Sequence, residues 1–277
     1  MGLRIQNNVE AFNAHRQLST TASKAAKSME KLSSGYRINR AADDAAGLAI
    51  SEKMRAQIGG LAQAQRNAQD GVSLVQTAEG ALNEVHSMLQ RVRDLKVQYL
   101  NGTLDADDKS AIVSEVKQLA SEIGEIQGKT EFNGISLLNG SGGSGGEISF
   151  QVGANTDETV SVVTQDIAGV SGTGDIDGVS GTASWEAIDL DDIDTAINNI
   201  AKLRSEFGAV QNRLEHRLNN LATYQENLVA SESRIRDVDM AQEMVNFTKL
   251  GILQQAGTSM LAQANQAPQN VLSLLRN

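Results

Sequence analysis

The sequence contains no cysteine, one proline and one tryptophan, and aromatic residues make up only 3% of its 277 positions. Without cysteine, disulfides, zinc–thiolate sites and thiol catalysis are all excluded. So few aromatic side chains, in stretches dominated by alanine, leucine and small polar residues, are typical of long helices that pack side by side. The length allows one or two domains with a sizeable core.

Long apolar runs are also missing. No stretch of about 18 apolar residues occurs, so we expect no membrane insertion. The first eight residues, Met1 to Asn8, lack the apolar segment of a secretory signal peptide. If the protein is exported, we therefore expect a non-classical route.

Positive charge is absent from the middle of the chain. Between Lys129 and Lys202 there is no lysine or arginine but there are twelve acidic residues, and because the net charge is −10 the remainder nets +2. A basic surface for nucleic acid is therefore not expected. An acidic, glycine-rich middle is most simply a solvated outer surface.

Apolar residues recur at helical spacing towards both ends. Steps of four and three, typical of helices that wrap a partner, connect Leu18, Ala22, Ala25, Met29, Leu32 and Tyr36. We expect this helix to end near Gly35 and a second to begin after Asp43 or Asp44 and run to about Leu100. Further helices are predicted from Thr103 or Asp105 to about Gly128 and from near Leu190. A strict seven-residue spacing links Phe207, Leu214, Leu221, Leu228 and Ile235.

The middle of the chain has a different pattern. Asn133-Gly134 predicts a turn, and alternating apolar residues at 148–152 and 160–162 predict a β-hairpin. Residues 141–146 are glycine and serine and are interpreted as a linker. Residues 168–184 are rich in Gly, Ser, Thr and Asp and are predicted to be exposed loop.

The last helical segment is almost uncharged. From Leu250 to Asn277 the only charged side chain is that of Arg276, and in the first 22 residues only Arg4, Glu10 and Arg16 are charged. A solvent-facing helix normally carries charges, so we expect these two ends to be buried or to face a confined aqueous space. Because a monomer can hardly provide that environment for both ends, the pattern favours self-assembly.

Reactive groups do not converge anywhere in the sequence. The three histidines, His15, His86 and His216, do not form a His-Glu-x-x-His motif, and there is no phosphate-binding loop or nucleophile elbow. The aspartates at 189–194 lack the glycine and the terminal glutamate of a calcium loop. We therefore predict no catalytic residue, no metal ligand and no cofactor, and a structural protein rather than an enzyme.

Four stretches of sequence carry a family resemblance. Residues 30–58 read EKLSSGYRINRAADDAAGLAISEKMRAQI, residues 233–241 read SRIRDVDMA, and residues 254–266 read QQAGTSMLAQANQ, followed by NVLSLLR at 270–276. These stretches resemble the terminal signatures of bacterial flagellin, and the resemblance extends over roughly 1–140 and 195–277.

The resemblance implies a fold and an assembly. It implies a mainly α protein, a long antiparallel helical coiled-coil rod with a small β-hairpin region and with its N- and C-terminal helices paired. Residues 1–45 and 236–277 would line the channel of a filament, and 46–235 would form the surrounding rod, with a short acidic loop insert at about 140–190 and no large outer domain. The residues expected to mark the terminal assembly helices are Leu18, Ala25, Leu32, Met260, Leu261, Val271, Leu272 and Leu275.

The resemblance also implies partners and a location. The chain would be exported unfolded through the flagellar type III apparatus, with an export chaperone and a cap protein as partners, and would form an extracellular homo-oligomeric filament for motility. No nucleic-acid partner is implied.

A receptor patch is a further implication. Some flagellins are sensed by a vertebrate toll-like receptor through a Gln-Arg-Val-Arg-Glu-Leu helix, and this chain has a similar segment from Gln90 through Arg91 to Leu95, with Glu115 at the matching place on the next helix. Asp94 stands where that motif has glutamate. The alternative interpretation is that Arg91 and Leu95 serve subunit packing.

Two other protein classes remain as alternatives. A hook–filament junction protein would share the paired terminal helices. A type III secreted translocator or coiled-coil adhesin would explain the heptads but not the uncharged ends.

Overall fold

The computed structural model describes residues 8–143, 145–167 and 181–275. As predicted, the fold is mainly α with a small antiparallel β region. The helices are α1 (Val9–Ser34), α2 (Ala45–Tyr99), α3 (Ala106–Lys129), α4 (Thr182–Glu186), α5 (Leu190–Arg236) and α6 (Met240–Leu275), and the strands are β1 (Glu131–Phe132), β2 (Ile135–Ser136), β3 (Glu147–Gln151) and β4 (Thr159–Val163).

The predicted helix boundaries follow from local capping. Gly35 adopts a left-handed conformation, with φ of 75°, and its N–H donates to the Lys31 carbonyl, which ends α1. The Asp44 carboxylate accepts from the Gly47 N–H at 2.9 Å at the start of α2, and Asp105 caps α3. These predictions are confirmed.

Helix α2 continues through the glycines that could have interrupted it. Gly71 is buried, and a Cβ atom there would lie 3.2 Å from Leu214 Cδ1 and 3.4 Å from Phe150 Cγ. The missing side chain therefore lets α5 and β3 approach closely, which offsets the helix-propensity cost of glycine.

The chain divides into two compact units. The terminal unit comprises Met1–Ala56 and Asn227–Asn277, and the central unit comprises Gln57–Glu226. Helices α2 and α5 contribute to both. No helix among the described residues is both long enough and apolar enough to cross a membrane.

The central unit has a closed hydrophobic core between α2, α3 and α5. Helices α2 and α5 are antiparallel, because residue numbers fall on α5 as they rise on α2 in their contacts: Gln65 with Gln225, Glu79 with Arg204, and Arg93 with Asp194. The buried members of the predicted heptad on α5 are Phe207, Leu214 and Leu221. This part of the heptad prediction is confirmed.

Two hairpins pack on this unit. Asn133 and Gly134 have φ of 52° and 76° and form the turn between β1 and β2. The predicted β-hairpin is confirmed, since strands β3 and β4 pair antiparallel; Phe150 lies opposite Val160. Ile148, Val160 and Val162 of this hairpin are buried.

The interpretation of residues 141–146 as a linker is wrong for the residues described. The buried Thr164 hydroxyl donates to the Gly146 carbonyl at 2.9 Å, and a Cβ at Gly142 would lie 2.5 Å from the Ser136 carbonyl oxygen. The glycines are there because the backbone passes close to its neighbours. In sequence alone this use of glycine cannot be distinguished from a flexible linker.

The predicted exposed loop at 168–184 is only partly testable. Residues 168–180 lie outside the described residues. Thr182 begins α4, which places Trp185 in the core with no exposed surface. The loop prediction is therefore wrong at its C-terminal end, where the short helix brings a large apolar side chain inward.

Candidate functional site

Helices α1 and α6 pair antiparallel within the terminal unit. The Asn8 side-chain amide donates to the Ala264 carbonyl at 2.8 Å, and the Ser28 hydroxyl donates to a Glu243 carboxylate oxygen. Between these points, a Cβ at Gly257 would lie 3.2 Å from Leu18 Cδ1. The predicted pairing of the N- and C-terminal helices is confirmed.

The centre of this pair is small and polar. The buried residues of α1 are Thr21 and Ser28, seven residues apart, while the apolar stripe residues Leu18, Ala25 and Leu32 are half-buried beside them. Thr21 is satisfied by its own helix, because its hydroxyl donates to the Gln17 carbonyl at 2.9 Å. Sequence reasoning missed Thr21 and Ser28; the signal that could have found them is that Thr21, Ser28 and Gly35 share one heptad position.

Helix α6 has an inner and an outer face. Leu261 is half-buried towards α1, whereas Met260 is 61% exposed on the other side. The side chains of Val271, Leu272 and Leu275 lie outside the described part of the structure.

We define the outer face as the exposed large apolar side chains of α1 and α6: Val9, Phe12, Met29, Met240, Met244, Val245, Ile252, Leu253 and Met260. Several of them lie together in a shallow apolar groove that runs from Met244 to Leu253. The exposed fraction is 69% for Val245 and 62% for Ile252. Such an apolar surface, on a pair only two helices thick, has no partner among the described residues of this chain.

A joint connects the segment between α1 and α2 with the segment between α5 and α6. Tyr36 and Asp237 form an isolated antiparallel bridge. The Arg37 N–H donates to the Arg236 carbonyl at 2.6 Å, and the Val238 N–H donates to the Gly35 carbonyl at 3.0 Å. Residues that follow α1 are thereby held to residues that precede α6.

Tyr36 lies between two guanidinium groups in this joint. The Arg55 and Arg236 guanidinium carbons are 5.4 Å and 4.9 Å from its ring centroid, and Arg55 also donates to its hydroxyl at 3.1 Å. Each arginine pairs with a glutamate of the opposite long helix, Arg55 with Glu232 at 3.0 Å and Arg236 with Glu52 at 2.6 Å.

The electrostatics of the joint favour the charged arginine. Burial alone lowers the pKa of Arg55, but the Tyr36 hydroxyl and the Glu232 carboxylate outweigh it and raise that pKa above its ordinary value. Sequence analysis did not identify this cluster, because its members come from three separate segments of the chain.

The predicted receptor-patch residues lie on α2 and α3 of the central unit. Arg91 Nη2 lies 2.7 Å from Glu115 Oε1, and both side chains are about half exposed. Gln90 is exposed and its amide lies 2.9 Å from His86 Nε2. Leu95 is only 1% exposed and belongs to the core, so the surface part of the patch consists of Gln90, Arg91 and Glu115.

A buried lysine lies next to this patch. Lys96 is 2% exposed, its Nζ donates to the Trp185 carbonyl at 2.7 Å, and it lies 4.8 Å from the Trp185 ring centroid. Burial lowers the pKa of Lys96, and the nearby Asp189 and Glu186 carboxylates only partly oppose it. Burial also raises the pKa of the Tyr99 hydroxyl, which donates to Glu186 at 2.9 Å.

No cluster of three or more His, Cys, Asp or Glu side chains that could hold a metal ion occurs in the part of the chain that the structure describes. The geometry offers assembly surfaces: an apolar outer face, a joint that holds the terminal helices, and charged patches on the central unit.

The chain is similar to known proteins over almost its whole length. The family described as the bacterial flagellin N-terminal helical region matches residues 5–142, and the bacterial flagellin C-terminal helical region matches residues 190–275. A flagellin of Bacillus subtilis (strain 168) is 50% identical over 305 residues, covering 99% of this chain and 100% of that protein. A flagellin of Halalkalibacterium halodurans is 51% identical over 274 residues, covering 98% and 99%.

A solved structure is also similar. The crystal structure of Bacillus cereus flagellin is 38% identical to this chain, with a TM-score of 0.51, and the match covers 56% of this chain and 88% of that one.

Proposed function

Since the chain belongs to the bacterial flagellin family, it is a structural subunit of the flagellar filament, and we propose that its paired helices α1 and α6 make the contacts that assemble the filament core. The single observation that carries this proposal is the exposed apolar outer face. Its members are on the two helices whose sequence is nearly free of charge at the chain ends.

Burial between copies supplies the driving force. Fully burying a side chain of the size of Val, Ile or Met contributes about 1.5–3 kcal/mol, so covering side chains that are about two-thirds exposed would contribute about 1–2 kcal/mol each. Within one subunit, the described residues of the terminal unit bury one large apolar side chain almost completely, that of Ile38. The terminal helices therefore gain most of their stability when other copies cover them.

The subunit has two domains in the proposed filament. Residues 1–45 and 236–277 would form the inner domain that lines the filament channel, and residues 46–235 the surrounding helical domain with its hairpin and the acidic insert at about 140–190. The division of the structure near residues 56 and 227 supports an arrangement of this kind.

The route to the filament is part of the same proposal. The chain is exported unfolded by the flagellar type III apparatus, with a chaperone and a cap protein as partners, and its filament is extracellular. A terminal unit with little core of its own supports this, because such a unit is easily kept unfolded before assembly. We propose no enzymatic activity and no cofactor.

Truncation tests the assembly proposal. Deleting 1–45 or 236–277 is expected to leave a soluble, partly helical monomer that forms no filaments with a central channel in electron micrographs. Filaments of normal diameter from either truncation would contradict the proposal.

A point variant tests it more sharply. Ile252→Asn removes one exposed apolar side chain, so the critical concentration for polymerisation is expected to rise roughly tenfold, with no change in monomer unfolding. The matched control is Gln255→Asn, an exposed polar position on the same helix. An unchanged critical concentration for Ile252→Asn would exclude the outer face from assembly.

Two other classes of protein are alternatives to the filament subunit. A hook–filament junction protein or a type III secreted coiled-coil protein would use similar helices. The identity to flagellins along nearly the entire length of both chains favours the filament subunit over either.

A second function is supported by the exposed ion pair between α2 and α3. We propose that Gln90, Arg91 and Glu115 form a surface that a vertebrate toll-like receptor recognises, with Leu95 supporting it from the core. Arg91→Ala is expected to lower receptor signalling by the monomer, whereas Lys129→Ala, which removes another exposed ion pair on α3, is the control. Equal signalling by Arg91→Ala and the wild type would remove the claim.

A further inference from the structure

The central unit carries a basic surface on α5. Arg213 and Arg217 are one helical turn apart and line a shallow groove with His216, Asn220 and Thr159 of β4. Both arginines are exposed, and their guanidinium groups form no hydrogen bond or ion pair with the residues that the structure describes. Arg217 lies close enough to Glu158 to interact with its carboxylate electrostatically, but neither arginine forms an ion pair with it. In a chain of net charge −10, two adjacent arginines without a bonded carboxylate are a surface suited to an acidic partner.

The same unit has a strongly acidic end. It is formed by the start of α3, by α4 and by the start of α5. Tyr99 links α3 to α4, because its hydroxyl donates to Glu186 at 2.9 Å and Lys109 Nζ lies 5.2 Å from its ring centroid. The exposed carboxylates at this end are Asp105, Asp107, Asp108, Glu186, Asp189, Asp191 and Asp192. The lysines beside them are occupied, since Lys96 is buried under Trp185 and Lys109 lies against Tyr99.

These two surfaces cannot meet within one subunit. Asp191 and Arg213 are on the same continuous helix, α5, and a helix rises by about 1.5 Å per residue, so about 33 Å separates them. That separation is about four Debye lengths at physiological ionic strength. The acidic end of one copy can therefore neutralise the basic surface only of another copy.

We propose that the acidic end of one subunit docks on the Arg213–Arg217 surface of the next, as a head-to-tail ionic contact between copies. A contact between two different surfaces of the same chain is heterologous, and it propagates as an open helical filament when the rotation between copies does not close a ring. Its charges steer incoming subunits and set their register, while the apolar outer face supplies most of the free energy. The inference rests on the proposed self-assembly and adds a specificity contact to it.

A charge swap tests the contact. The first variant, Arg213→Glu with Arg217→Glu, reverses the basic surface, and the second, Asp107→Lys with Asp191→Lys, reverses part of the acidic end. Asp105 and Asp192 are left unchanged because they accept backbone N–H groups at the start of α3 and α5. Each variant is mixed with short wild-type filament seeds, and elongation is measured at low salt.

Each variant alone is expected to elongate with a critical concentration at least tenfold above that of the wild type, because attraction between exposed charges becomes repulsion. An equimolar mixture of the two is expected to elongate at nearly the wild-type critical concentration when the variants alternate. The unchanged acidic end of the first variant then docks on the unchanged arginines of the second, and the new lysines of the second dock on the new glutamates of the first. Circular dichroism of each monomer checks that both variants are folded.

Several results would overturn the contact. The first is elongation of both variants at the wild-type critical concentration, and the second is failure of the mixture of folded variants to elongate. The third is impairment of the arginine variant with no impairment of the aspartate variant, which would indicate that the arginines bind something other than the acidic end. Elongation of the wild type itself separates this inference from the proposed function. If wild-type subunits do not polymerise, the proposed assembly fails; if they do and the swap has no effect, only the head-to-tail contact fails.

Discussion

Replacing Tyr36 with alanine is expected to open the joint that holds the terminal helices together, while leaving the central unit intact. Tyr36 lies between the Arg55 and Arg236 guanidinium groups and accepts a hydrogen bond from Arg55. The backbone bonds that cross the joint depend on this packing, and the clearest of them runs from the Val238 N–H to the Gly35 carbonyl at 3.0 Å.

The size of the effect follows from these contacts. Each cation–π contact at a partly exposed site contributes about 0.5–1 kcal/mol, and the hydroxyl hydrogen bond contributes about 0.5–1.5 kcal/mol. Tyr36→Ala therefore lowers the free energy of local opening by about 2–3 kcal/mol. Tyr36→Phe keeps both stacked guanidinium groups and is expected to lower it by about 1 kcal/mol.

Amide hydrogen exchange of the monomer measures this local opening. The Val238 amide is the reporter, because its position far from Tyr36 in sequence leaves its intrinsic exchange rate unaffected by the substitution. Its protection is expected to fall roughly 30- to 140-fold in Tyr36→Ala and roughly fivefold in Tyr36→Phe, because each 1.4 kcal/mol of opening free energy changes the opening equilibrium tenfold. The amide of Val85, in the core of the central unit, is the control. A change of less than threefold at Val238 in Tyr36→Ala would refute the reasoning.

Three further predictions concern packing and protonation. Gly257→Leu is expected to force Leu18 away and separate α1 from α6, which reduces helical circular dichroism and abolishes polymerisation, whereas Gly257→Ala is tolerated because the end of Leu18 can shift. Trp185→Ala is expected to destabilise the monomer by about 3–5 kcal/mol in denaturant unfolding, and Trp185→Phe by clearly less. Because the pKa of Lys96 is lower in the folded chain than its ordinary 10.5, the folded state loses that proton first. The stability of the wild type relative to Lys96→Met is therefore expected to rise as the pH approaches 10.5, and a constant difference above pH 7 would contradict this.

The helices and the hairpin could be predicted because their signals are local. Gly35, Asp44 and Asp105 mark helix ends through bonds to residues within four positions, and the heptads of α5 need only their own spacing. Asn133-Gly134 specifies a turn by its backbone preference alone. For such features the sequence contains the whole physical cause.

The joint could not be predicted, because its cause is not local. Arg55 and Glu232, like Arg236 and Glu52, are brought together only when α2 and α5 lie side by side. From the sequence alone, a charged residue at any of these positions is equally consistent with a solvated helix surface. Thr21 and Ser28 were missed for a related reason. Thr21 can be buried because its hydroxyl bonds to its own helix, and Ser28 because its hydroxyl bonds to Glu243 of α6. Whether either is buried depends on how closely α6 approaches, which is not a local property of α1.

Stability and assembly are expected to depend on different residues of this subunit. The central unit buries its apolar side chains within itself, as Leu82, Val85 and Leu89 do with no exposed surface, so substitutions there change monomer unfolding. The outer face has its apolar side chains in water before assembly, so a substitution such as Ile252→Asn changes the monomer little and the critical concentration strongly. On the proposed assembly, the same physical term, burial of apolar surface, acts at folding in the central unit and at polymerisation in the terminal unit. A subunit built in this way can be stable enough to persist as a monomer while its terminal helices complete their packing only against other copies.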